Sequence, residues 1–124
     1  MPTLVKIIHE GGICRVPLEN YPNKFVTMYE EDLEELLSLG VQMNWKFSNG
    51  NVWSQSGSKR VAVSRLITDA GPGQQVLYLD RNPFNLLRQN LCVAEGRAKY
   101  RARDKIDLGA NRLRREVIIE HDVR

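Results

Sequence analysis

Apolar and polar positions alternate through the opening stretch TLVKIIHEGGICRVPL, and its two β-rich runs flank Gly11 and Gly12, a spacing that predicts a hairpin closed by a glycine turn. KFVTM then predicts a short strand. In YEEDLEELLSLG the leucines at 33, 36 and 37 recur at helical spacing behind an acidic first turn, and Gly40 lies beyond the end, so a helix is predicted there. QMNWKFS and VWSQ, separated by Ser48, Asn49, Gly50 and Asn51, predict a second hairpin that carries Trp45 and Trp53 as core aromatics. RVAVSRLITD starts with β-branched alternation and runs into a short helical turn before the breaker Gly71-Pro72-Gly73. A strand over QQVLYL (74 to 79) follows, then a loop from Asp80 to Pro83. Next come a helical stretch from Phe84 to about Asn90 and a basic helix from about Ala94 to Lys105. LRREVIIE, Leu113 to Glu120, reads as a last strand or as a continuation of that helix.

The length of 124 residues suits one domain, divided here into a β-rich part (1–59), a strand-loop-helix part (60–106) and a C-terminal extension (107–124). The expected class is α+β. No apolar run has the roughly 20 residues of a membrane-spanning helix, and the start has no signal-peptide pattern, so a cytoplasmic location is expected. Cys14 and Cys92 match no metal-knuckle spacing and are expected to be buried thiols without a disulfide.

Charge changes the picture more than composition does. Net charge is only +3, yet residues 1–60 carry six Lys and Arg against seven Asp and Glu, whereas residues 61–124 carry twelve against eight. Within 81–115, ten basic residues face Glu95, Asp104 and Asp107 alone. Such an excess fits either an anionic partner or a solvated helix face.

From about Val16 to Lys105 the order of landmarks resembles the HNH (His-Me finger) homing endonucleases of phages and introns. These landmarks are the acidic helix MYEEDLEELLS, Trp45, the Asn49-Gly50 turn, SRLI (64–67), and the run VLYLDRNPFNLLRQNLCVAEGRAKYRA from Val76 to Ala102. The resemblance covers about three quarters of the chain, and Asn82 to Leu91 is its most specific part. It implies a ββα-metal motif in which Asn82 and Asn90 hold the loop. It also implies a reaction that needs one general base and one divalent cation.

The residues that would perform that reaction are replaced. Leu77 stands at the metal-binding carboxylate, Tyr78 at the general-base histidine, Lys99 at the remaining metal ligand, and Ser64 at the histidine of the His-Arg-Leu-Ile run that ends a strand in the family. A pocket of Leu77, Tyr78 and Lys99 has no ligand for a hard cation, and a tyrosine of pKa ~10 is a poor base at neutral pH. His9 and His121 lie outside the matching stretch, and no metal or cofactor is expected. A tyrosine nucleophile at Tyr78, assisted by Arg81 and Arg88, is the less common alternative to a strand tyrosine packed beside a helix.

These residues lead us to expect a non-cleaving nucleic-acid-binding protein of phage or prophage type in a bacterial host. Arg81, Arg88, Arg97, Lys99, Arg101, Arg103 and Lys105 would contact the backbone of DNA or RNA, Lys99 taking a phosphate where the metal is lost. One alternative is a phage-encoded inhibitor of a host nucleic-acid enzyme such as a CRISPR effector, with EEDLEE (30–35) as a phosphate mimic. Another is a divergent active nuclease.

Overall fold

Gly11 and Gly12, both at positive φ, turn the chain between β1 (Lys6–Glu10) and β2 (Ile13–Leu18), as a type I′ hairpin requires. The computed structural model describes residues 6–106 and 118–121. β3 (Tyr21–Tyr29) pairs antiparallel with β2, and Cys14, Val16, Val26 and Met28 point inward from the facing positions Cys14↔Met28 and Val16↔Val26. β9 (Ile118–His121) adds to the other edge of β1 in parallel, giving the order β3-β2-β1-β9. The strand alternative for the C-terminal stretch thus holds at 118–121, while 107–117 lie outside the described residues.

Helix α1 (Glu30–Ser38) follows β3 directly and buries Leu33 and Leu36. A second sheet, β4 (Lys46–Ser48), β5 (Asn51–Ser56) and β6 (Lys59–Ala62), turns at Asn49 and Gly50, both at positive φ. β5 alternates strictly: Val52, Ser54 and Ser56 face inward while Asn51, Trp53 and Gln55 stay half-buried on the other face. Helix α2 (Val63–Thr68) leaves β6 without a loop and contributes Leu66 and Ile67 to one apolar cluster that runs from Ile7 to Ala102 and includes Trp45. Two strands remain, β7 (Gln74–Tyr78) and β8 (Leu91–Glu95), paired antiparallel as a separate hairpin. No described helix is long and apolar enough to cross a membrane.

The expected helices between 84 and 105 are not formed. Residues 79–90 make a loop that ends in a single 3-10 turn at Arg88–Asn90. Ala94 and Glu95 complete β8, residues 96–101 are irregular with a bend at Tyr100, and only a 3-10 turn at Ala102–Lys105 is helical. The cause is tertiary. Gly96 N donates to Gly73 O (2.9 Å), Gly73 N to Ala98 O (2.7 Å) and Ala102 N to Ala70 O (3.2 Å), so the 96–102 backbone is satisfied by the 70–73 turn and not by its own helix. Only glycine fits this approach, because a Cβ on residue 96 would lie 2.8 Å from Gln75 Cβ.

Candidate nucleic-acid interface

Strand pleating sends Leu77 and Tyr78 to opposite faces of β7. Tyr78 turns inward and its hydroxyl donates to Asn51 Oδ1 at 2.8 Å; Ser64, buried on α2, hydrogen-bonds the same phenol. Burial pushes the Tyr78 hydroxyl above its ordinary pKa and outweighs the opposing effect of Ser64, so the phenol stays a neutral donor. Leu77 is instead 46% exposed, paired across the hairpin with Cys92, and Lys99 is exposed on the irregular 96–101 segment. Of the four replaced positions only Ser64 and Tyr78 meet; the expected pocket of Leu77, Tyr78 and Lys99 does not form. Cys92 is exposed, not buried as expected, whereas Cys14 is buried and both thiols are free.

The loop between β7 and β8 is knotted by polar side chains. Buried Asn90 accepts from Asp80 N (2.9 Å) and donates to Asp80 Oδ1 (2.8 Å) and Asn85 O (2.9 Å). Asp80 also takes Asn82 N and Asn85 Nδ2, while Asn82 Oδ1 accepts from Phe84 N. These bonds, led by Asn85, hold the Asp80 carboxyl below the usual carboxylate range. Thr27 N donates to Phe84 O and Leu86 N to Thr27 O, which docks the loop on β3. Arg81, at φ 63°, sits exposed at its tip.

The basic residues expected to form one surface divide into two sets. Arg88 pairs with Glu31 and lies over the Tyr29 ring; its Nε is 3.1 Å from Asp32 Oδ2. Arg101 pairs with Asp69 (2.7 Å), and Arg103 spans Glu35 (2.8 Å), Asp69 (3.6 Å) and Leu66 O (3.0 Å). All three arginines are ion-paired within the fold, Arg88 and Arg101 at its surface and Arg103 largely covered, and the acidic helix α1 supplies carboxylates to Arg88 and Arg103. Lys105 lies 3.8 Å from the centre of the Tyr100 ring, where it holds the phenol below its ordinary pKa. Among the described residues, Arg60, Arg81, Arg97 and Lys99 have no carboxylate partner.

Arg60 and Arg97 face a cleft of about 230 Å³ between β5, β6, α2 and the 97–100 segment. A second cleft of about 550 Å³ shares Trp53 and Arg60 with the first and continues along β4. Among the described residues, no Asp or Glu lines either cleft. The Arg60 guanidinium stacks 4.4 Å from the centre of the Trp53 ring, whose Nε1 donates to Ser48 O. Arg65 donates to the carbonyls of Gln74 and Tyr100 (2.9 Å to the latter) and so fixes the far wall while keeping its charge. Trp53, Arg60 and Tyr100 went unnoticed as site residues in the sequence. The half-buried alternation of Asn51, Trp53 and Gln55 was the available signal. No three His, Cys, Asp or Glu side chains among the described residues converge as a cation site.

Compared with protein families, curated proteins and solved structures, the chain matches none.

Proposed function

We propose that this protein binds nucleic acid through its phosphate backbone and does not cut it. The observation that carries the proposal is the cleft faced by Arg60 and Arg97, two cations with no carboxylate partner among the described residues, none of which places an Asp or Glu in its lining. Arg81 and Lys99 add charge with no carboxylate partner among the described residues, whereas Arg88 and Arg101 are ion-paired at the surface and Arg103 is ion-paired and largely covered. The non-cleaving part of the proposal is supported by chemistry at the Tyr78 position. A neutral phenol, a serine hydroxyl and an amide neither deprotonate water nor supply anionic ligands, and both Asp80 oxygens are occupied by Asn85, Asn82 N and Asn90. The hairpin with its Asn90-tied loop agrees with the first two strands of an HNH-like motif, and the third element is absent over the described 94–105. The phosphate-mimic alternative has weaker support, because Glu31 and Glu35 already hold arginines.

A gel-shift series tests this reading. With three or four phosphate contacts, log affinity falls against log salt with a slope of about −2 to −4 between roughly 50 and 200 mM. No shift at low salt would overturn binding; nicking of plasmid with Mg²⁺ or Mn²⁺ by a pure preparation would overturn the non-cleaving half.

A further inference from the structure

The two clefts that meet at Trp53 and Arg60 are lined unlike a surface that grips only a duplex backbone. Amide side chains recur along them, each tethered at one end. Asn51 Oδ1 is held by Tyr78, Gln55 Nε2 by Gly57 O (2.9 Å), Gln74 Oε1 by Gly71 N (2.7 Å) and Gln75 Nε2 by Glu95 O (2.6 Å). Their other ends, two donors (Asn51 Nδ2, Gln74 Nε2) and two acceptors (Gln55 Oε1, Gln75 Oε1), have no partner among the described residues. Two planar platforms stand with them: the Arg60 guanidinium laid on Trp53, and the Tyr100 ring, 46% exposed. Cations at Arg60, Arg65 and Arg97 run alongside.

We propose that this groove holds an unpaired polynucleotide strand, with phosphates on Arg60 and Arg97, a base stacked on Tyr100 or on the Arg60–Trp53 plane, and base edges against the tethered amides. The proposal rests on the nucleic-acid reading above and specifies its ligand. In a duplex the base faces are hidden in the stack and the Watson–Crick edges are paired, so the planar platforms would go unused and the amides could meet groove edges alone. Moreover, the one described helix from the basic half, α2, is six residues long and mostly buried, so it offers no recognition helix for a major groove. The 550 Å³ cleft is in the range of small-ligand sites, and the 230 Å³ cleft beside it has room for a base-sized group.

The test is fluorescence anisotropy with three end-labelled probes of one mixed sequence: single-stranded DNA, single-stranded RNA and the DNA duplex. The expected result is single-strand binding at least about tenfold tighter than duplex binding. Trp53 emission should be quenched on saturation, since Trp45 is fully buried and unavailable to a base. Tyr100→Ala should weaken single-strand binding about tenfold at unchanged salt slope, and Arg97→Ala should reduce the slope by about 0.7. Both residues are exposed, and the near-ultraviolet signal of Trp45 reports on folding. The DNA and RNA arms identify which sugar the groove accepts. Equal or tighter duplex binding, insensitive to Tyr100→Ala, would overturn the groove while leaving the nucleic-acid reading intact. Absence of binding to all three probes would overturn both.

Discussion

Arg103 and Glu35 meet at 2.8 Å although they belong to opposite halves of the chain, one on the 3-10 turn Ala102–Lys105 and the other on α1. The same guanidinium reaches Leu66 O and Asp69 and is itself largely covered, with 17% of its side chain exposed. It anchors the Ala102–Lys105 turn to both helices. Arg103→Ala is therefore expected to cost about 2 kcal/mol, the scale of charged hydrogen bonds left unmade at a partly buried site. Urea denaturation measures it, and a midpoint unchanged from the parent would remove Arg103 from the structural set.

Asn90 supplies one acceptor and two donors to the 79–90 loop, and no other side chain at that position offers the same three bonds in the same volume. Asn90→Ala should destabilise by about 2 to 3 kcal/mol, and Asn90→Asp by a similar amount at pH 7, because a second carboxylate would then face Asp80. Hydrogen exchange would locate the loss at the loop. Uniform loss of protection across all sheets, with the loop no worse than the rest, would contradict the assignment.

Acid should loosen the same loop. Asp80 titrates below its unfolded value of ~3.9, so its stabilising contribution is fully present above that value and disappears as pH falls through the lower folded one. Asp69, held down chiefly by its hydrogen bond from Arg101, has the same sign. Asp32 has the opposite sign: burial and then Glu35 raise it, and Arg103 only partly offsets them, so protonating it relieves the fold. The stability gap between parent and Asp80→Asn is predicted to be present at pH 6, to begin closing near the unfolded value of ~3.9 and to vanish only below the lower folded value. A gap that persists unchanged into acid would refute the Asp80 account.

Gly96 answers a question of space. Replacing it with alanine brings a methyl to 2.8 Å from Gln75 Cβ and 3.1 Å from Gln75 N, the second of which is backbone and cannot swing away. Gly96→Ala should lower stability by about 1 to 3 kcal/mol and weaken single-strand binding through displacement of Arg97 and Tyr100. Thermal melts combined with the anisotropy assay read both effects, and a variant with parental values in each would show that the segment yields freely.

The two thiols should react at very different rates. Burial, reinforced by Glu30, Asp32 and Glu34, pushes Cys14 up to about 12, whereas Cys92 stands exposed opposite Leu77. An aromatic disulfide reagent at pH 8 is expected to modify one thiol rapidly in the native protein and the second only in denaturant. Cys92→Ser should abolish the fast phase. Two fast thiols would mean that Cys14 is reachable.

Local chemistry made most of the first sixty residues legible. Gly11-Gly12 and Asn49-Gly50 demand left-handed backbone and announce their hairpins, and the leucine spacing in α1 admits one period only. The stretch AEGRAKYRARDK misled because its residues favour a helix wherever nothing else claims them. Here Gly73, Ala70 and Asp69 do claim them, through partners that no local window contains. The same limit hid the groove. Trp53, Arg60, Gln74 and Tyr100 belong to four separate segments, and only the folded chain brings them to one cleft. Charge counting also could not show that Arg88, Arg101 and Arg103 pair with Glu31, Asp69 and Glu35, since those partners lie 57, 32 and 68 residues away along the chain.

The parallel pairing of β9 with β1 sets a schedule for synthesis. During translation the outer margin of β1 stays bare until residues 118–121, far downstream in the chain, have left the ribosome. For that interval the nascent molecule exposes an open strand to its neighbours, a state that invites intermolecular association and favours slow closure.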